Sequence, residues 1–163
     1  MHLAVISDTH GHILNSKRAV GVIESFNPIA VLHCGDIGSA EIPNLFARWP
    51  THYVIGNVDS TTTKLETAIK KAGGIYHHNF GDITMHGKRI ALLHSHLPNV
   101  LESTIESKLF DIVCYGHTHQ AEFHTNQQTL VVNPGALYRA KTHTIAILDI
   151  QEMPISAWHV DIG

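Results

Sequence analysis

Five short segments of the chain collect side chains able to bind metal ions or move protons. They are Ser7-Asp8-Thr9-His10, His33-Cys34-Gly35-Asp36, Gly56-Asn57-Val58-Asp59, His94-Ser95-His96 and Gly116-His117-Thr118-His119. Imidazole is the commonest metal ligand and the usual proton shuttle near neutral pH. Carboxylate oxygen mixed with imidazole nitrogen suits Mn, Fe, Zn or Co, whereas Ca prefers oxygen alone. Cysteine is absent from the obvious ligand positions, which argues against a structural zinc site. Alternate residues of an extended segment point the same way, so Asp8 with His10, or His117 with His119, can converge on one point. A single Asp-x-His pair is as well explained by a surface turn. Five such clusters, each directly after a strand-like run, are not.

Those runs define the elements that must hold the clusters. Leu3 to Ile6, Ile29 to Leu32 and His52 to Ile55 read as buried strands. Between them, Asn15 or Ser16 is placed to cap a helix with Ala19, Ile23 and Phe26 on one face, and Ile42 to Trp49 reads as a weak helix. Thr63 and Glu66 have capping-box spacing ahead of an apolar stripe that Gly73-Gly74 ends. Alternating strand and helix predicts a mainly parallel sheet. Further on, Asp82 to His86 and Arg89 to Leu93 read as strands around a His-Gly turn, followed by a helix from Asn99 with Leu101, Ile105 and Leu109 on one side. Asp111 to Tyr115, Ala121 to Thr125, Leu130 to Val132, Thr144 to Ile150 and Ile155 to Val160 read as strands, with the C-terminal third expected to be antiparallel. In α/β sheets ligands gather beyond the carboxyl ends of strands, where all five clusters fall.

The 163 residues suffice for one domain, expected to be residues 1–163, and no repeat or linker divides them. With 11 basic and 14 acidic residues, net charge −3, the chain is no electrostatic nucleic-acid binder. An apolar content of 44% fits a folded core rather than disorder. Histidine is the outlier: there are 15, more than lysine and arginine together, spread along the chain rather than gathered in a tag. No stretch approaches the roughly 18 apolar residues of a membrane span. Met1 leads directly into His2-Leu3-Ala4-Val5-Ile6, without the features of a signal peptide, so a cytoplasmic location is expected. Cys34 and Cys114 read as buried reduced thiols.

Together, Asp8-Thr9-His10, Gly35-Asp36, Gly56-Asn57-Val58-Asp59, His94-Ser95-His96 and Gly116-His117-Thr118-His119 resemble the calcineurin-like metallophosphoesterases, especially the small bacterial and archaeal phosphodiesterases. Asn133-Pro134-Gly135 matches a turn common in that subgroup. The motifs keep the family's order across nearly the whole chain. The resemblance implies an α/β fold: a four-layer αββα sandwich of two mixed β-sheets flanked by helices. It also implies a dinuclear metal centre in the loops at one end. Asp8, His10 and His119 would hold one metal, Asn57, His94 and His117 the other, and Asp36 both. The implied cofactors are two divalent metal ions, manganese first, with Fe, Zn, Ni or Co as alternatives.

Two departures from the family pattern stand out. Ser95 occupies a position that is often glycine. Val58 stands where many larger members have a histidine proposed as the leaving-group acid. His96 is the candidate for proton delivery in its place, so the catalytic set is Asp36, Asn57 and His96. With two divalent cations and the two carboxylates Asp8 and Asp36, the site keeps about two positive charges, suited to a phosphoester. The expected reaction is in-line attack of a bridging hydroxide on a small-molecule phosphodiester, with Asn57 donating to a phosphate oxygen. Of the neighbours, Asp59 is expected to support a ligand or cap a helix, His33 to pack or orient, His12 to line the cleft, and Arg139 to be an exposed loop arginine. Two readings compete with the enzyme. One is a non-catalytic scaffold on the same fold, as in a retromer subunit with a degraded metal site. The other is a metal sensor without catalysis. Intact Asp36 and Asn57 disfavour both. A homo-oligomer is compatible with the sequence.

Overall fold

The computed structural model describes residues 1–163. Two sheets face each other. The first has the order β11-β10-β1-β2-β3-β4, where β1 is His2–Ile6, β2 Ala30–His33, β3 Thr51–Tyr53, β4 Ile75–Tyr76, β10 Thr144–Asp149 and β11 Ser156–Asp161. β1 to β4 run parallel, and β10 and β11 are added antiparallel. The second sheet has the order β5-β6-β7-β9-β8, with β5 Phe80–Met85, β6 Lys88–Leu93, β7 Ile112–Cys114, β8 Ala121–Asn126 and β9 Thr129–Pro134.

Alternation of side chains along each strand fills three layers of core. Leu3, Val5, Leu32 and Val54 from the first sheet meet Ile90, Leu92, Ile112 and Val132 from the second, with Cys34 and Cys114 among them as free buried thiols. On the outer face of the first sheet, Ala4, Ile6 and Val31 receive Ala19 and Ile23 of α1 (Ile13–Phe26), Ile42 of α2 (Ile42–Leu45), and Leu65 and Ile69 of α3 (Thr62–Lys71). On the outer face of the second, Ala91, Leu93 and Val113 receive Leu101 and Ile105 of α4 (Val100–Glu106). The result is the four-layer αββα sandwich. No helix is long and apolar enough to cross a membrane.

Several local expectations are corrected. The C-terminal third is not wholly antiparallel, because β9 pairs parallel with β7 and only β8 runs against it. The helix expected over 42–49 ends at Leu45. α1 starts earlier than expected, capped by the His12 ring, which accepts from the Asn15 amide, so Asn15 and Ser16 lie buried inside the helix. Thr63 belongs to α3 and makes no capping box; Thr61 precedes the helix. α4 stops at Glu106, and Leu109, beyond the left-handed Lys108, is exposed rather than packed. The His86-Gly87 turn is as expected, both residues at positive φ as a tight hairpin requires.

Candidate metal centre

The five clusters lie in the loops leaving β1, β2, β3, β6 and β7, at the carboxyl ends of strands that run parallel within their sheets. These loops are cramped. Gly56 leaves no room for a Cβ, which would press into Asp36 Oδ1 and come within 2.6 Å of the His94 ring. Gly116 is likewise hemmed in by Ser7 and by Asp8 Oδ2, 2.9 Å from where its Cβ would sit. Asp8, His10, Asp36, Ser95, His117 and His119 all adopt left-handed backbone conformations, which cost non-glycine residues free energy and gather at functional sites. Ser95 thus takes at φ +64° the conformation that glycine adopts freely, and its hydroxyl ties it to the Gly116 carbonyl at 2.9 Å.

Asp8 is fully buried. Its Oδ2 accepts from the Ser7 hydroxyl (2.6 Å) and the His117 amide (3.1 Å). Its Oδ1 lies 3.0 Å from His119 Nε2, 3.7 Å from His10 Nε2 and 3.9 Å from His94 Nε2, yet makes no well-aligned hydrogen bond. Asp36 faces both ways, with Oδ2 3.6 Å from His10 Nε2 and Oδ1 3.2 Å from His94 Nε2. Two groups emerge, Asp8/His10/His119 and Asp8/Asp36/His94, each with ligand atoms within 4.8 Å of one another.

The ring tautomers decide what these groups can hold. His94 Nδ1 lies 2.7 Å from the Cys34 carbonyl, and His119 Nδ1 lies 3.1 Å from the Arg139 carbonyl. A carbonyl only accepts, so both Nδ1 atoms carry the proton. In the neutral rings both Nε2 lone pairs then point at carboxylate oxygens. Acceptors aimed at acceptors need a cation between them, and His94 Nε2 and Asp8 Oδ1 are buried without a partner. The donor set therefore fits divalent metal ions, with the backbone carbonyls fixing ring orientation as outer partners do. The protein's own charges show the same pull. Burial pushes His94 down, but Asp36 and Asp8 outweigh it and its pKa rises. Burial pushes Asp36 up, but His94 and the Val58 amide bring it to about 2. His10 is lowered, chiefly by burial.

Of the six expected aspartate and histidine ligands, the structure brings five into these groups. His117 stands beside them, exposed, its ring edge-on to His94 with centroids 5.2 Å apart. Asn57 is exposed, and its neighbour Val58 donates its amide to Asp36 Oδ1 at 3.1 Å. His96 is half-buried, 5.5 Å from the His94 ring, and its Nδ1 is buried without a partner.

The surrounding residues divide more clearly than their types suggested. Asp59 caps no helix. It accepts from the amides of Ile37 (3.1 Å), Gly38 (2.8 Å) and Gly56 (2.9 Å), pinning the Asp36 loop to the Asn57 loop. His33 orients: its Nε2 meets Thr9 Oγ1 at 3.0 Å, its Nδ1 accepts from Gly35, and burial lowers it to about 3. His12 caps α1 and stacks on Tyr138 (centroids 4.3 Å), which neighbours His10. Arg139 is exposed, but its carbonyl holds His119, a main-chain role its side chain does not advertise. Ser7 was also missed, since nothing distinguishes a serine before an aspartate.

Residues 1–153 match the family model of the calcineurin-like phosphoesterase superfamily domain. The chain belongs to the calcineurin-like phosphoesterase superfamily. This superfamily member is a phosphoester hydrolase, and its Asp/His groups are those of an enzyme using divalent metal ions. It is 35% identical to a phosphodiesterase of Methanocaldococcus jannaschii, over 93% of this chain and 95% of that protein. The solved structure of an archaeal phosphodiesterase superposes with a TM-score of 0.90 at 30% identity, covering 99% of each chain. Vacuolar protein sorting 29 of Cryptosporidium parvum shares the fold, with a TM-score of 0.64 at 16% identity over 98% of this chain and 96% of that one.

Proposed function

We propose that this calcineurin-like phosphoesterase is a phosphodiesterase holding two divalent metal ions, manganese by preference. Asp8, His10 and His119 hold one, and Asn57, His94 and His117 the other. Asp36 reaches both, its two oxygens being turned to His10 and His94 respectively. The observation that carries this reading is the pair of Nδ1-protonated rings whose Nε2 lone pairs face carboxylate oxygens. The metal ions, when bound, neutralise phosphate charge and lower the pKa of water towards 7.

The protein's own groups do the rest. The Asn57 amide donates to a phosphate oxygen. His96, whose Nδ1 has no protein partner, holds the proton that the departing alkoxide needs. Val58 cannot supply one. Asp59 keeps the Asp36 and Asn57 loops in register. Diesters are the preferred class because the similar archaeal sequence and structure are those of phosphodiesterases. We read residues 1–163 as one domain acting in the cytoplasm on small molecules, alone or as a homo-oligomer, and not on a nucleic-acid polymer. The scaffold reading has weaker support, since its likeness is one of fold alone.

The test is hydrolysis of a chromogenic phosphodiester and the matching monoester by metal-stripped protein resupplied with Mn, Ni, Co, Zn or Mg. Manganese-restored diester hydrolysis is expected. Inactivity with every metal overturns the enzyme reading, and a strong monoester preference overturns the diester assignment.

A further inference from the structure

His117 and His119 flank Thr118, and both hold left-handed backbone conformations, φ +80° and +58°. Nothing intrinsic to His-Thr-His favours that path, so something outside must fix it. Asn133, fully buried at the end of β9, is placed to do so. Its Oδ1 accepts from the Gly135 amide at 3.0 Å, which settles the orientation of the side-chain amide. Nδ2 therefore faces the Thr118 hydroxyl, at 2.9 Å, and donates to it. The Gln120 amide donates to the same hydroxyl at 3.3 Å. Asn133 is itself held from the other sheet, where His159 of β11 donates from Nε2 to its carbonyl at 2.8 Å.

The same side chain reaches His119 by a second route. The turn that Asn133 starts by accepting from Gly135 leads to Tyr138, whose amide donates to the Asp8 carbonyl, and then to the Arg139 carbonyl that holds His119 Nδ1. At the base of the loop, Tyr115 donates its phenol to Glu122, the residue paired with Asn133 across β8 and β9.

We propose that Asn133 is a positioning residue for both metal ions, acting through the Thr118 hydroxyl that lies between one ligand of each. The inference rests on assigning His117 and His119 to different ions, as above. One amide-to-hydroxyl bond then sets the spacing of two ligands, so its loss is felt at both sites together. The His119 ring keeps its tie to the Arg139 carbonyl, whereas His117 is held through its backbone amide, which donates to Asp8 Oδ2. The ion held by His117 is therefore the more sensitive.

Thr118 is exposed, and its hydroxyl is the acceptor for the buried Asn133 amide. Thr118→Val keeps the shape and removes the hydroxyl; Thr118→Ser keeps the hydroxyl. Metal-stripped protein is titrated with Mn(II) by calorimetry, and with Co(II) by visible absorption to read ligand geometry. Thr118→Val is expected to weaken binding about tenfold to a hundredfold, the usual effect of losing an outer partner, with the weaker step affected first. Its Co(II) spectrum should change in protein that circular dichroism shows to be folded, with a melting temperature lowered by the Asn133 amide left unpaired. Thr118→Ser should restore both titrations. Wild-type binding and spectrum in Thr118→Val overturn the proposal, as does Thr118→Ser behaving like Thr118→Val. Wild-type protein that takes up no metal removes the ligand assignment, and this inference with it.

Discussion

Two histidine clusters in this molecule are built from the same ring, and the most buried ring of each is shifted in the opposite direction. In one, His52 Nδ1 and His77 Nε2 lie 2.8 Å apart with their rings nearly parallel. Burial, and then the neighbouring His77, lowers His52 to about 4, and burial lowers His77 as well. The other cluster contains His94, which is more buried than His52 yet is raised, because Asp36 and Asp8 face it. Carboxylates, not burial, separate His94 from His52. The paired rings of His52 and His77 satisfy each other through one shared proton, and no lone pair is left converging on a cation. At the metal centre, backbone carbonyls take the Nδ1 protons and turn the Nε2 lone pairs to the carboxylates.

Removing a carboxylate should therefore turn the second cluster into something like the first. Asp36→Ala loses the carboxylate that turns one oxygen to His10 and the other to His94, and several kcal/mol of charge stabilisation with it. Diester turnover is expected to fall by about a thousandfold or more in steady-state assays. Next in size, His96→Gln should lower kcat about a hundredfold while metal uptake, followed by titration, stays at the wild-type level. Unchanged kcat removes His96 from proton delivery. Asp59→Ala frees three backbone amides around the Asp36 and Asn57 loops and should weaken Mn(II) binding about tenfold.

His52→Gln sits at the small end: metal content and turnover should not change. Its effect is on stability against pH. The folded protein keeps His52 neutral down to about pH 4, whereas the unfolded chain protonates it near 6.5. Between these values the unfolded state binds the extra proton, so stability is lost as pH falls through the window, by up to about 1.4 kcal/mol per pH unit. Denaturation curves of His52→Gln from pH 4 to 6.5 should show a slope shallower by about one proton. An altered metal content would erase the distinction between the clusters.

Much of this was legible in the residues because it is periodic or clustered. β1, β2 and the stripes of α1 and α3 follow hydrophobic spacing, and the position of each polar cluster after a strand pointed to one end of the sheets. What escaped notice has physical reasons. β4 has only two residues, too few to show a period. The run Leu130 to Val132 marks a buried strand but carries no direction, so its parallel pairing with β7 was not expected. His12 caps α1 through a ring nitrogen, outside the usual capping residues. Asp59 and Arg139 act through backbone amides and a backbone carbonyl brought near only by folding. Outside the expected ligands, His33, His52, His77 and His159 are hydrogen-bonded in the interior or between sheets.

The claim that carboxylate-faced imidazoles form a dinuclear centre can be read directly from anomalous scattering of crystals grown with Mn(II). Two peaks are expected, one among Asp8, His10 and His119 and one beside Asp36 and His94, with none at His52 and His77. A single peak, or a peak at His52 and His77 with the carboxylate site empty, would contradict it.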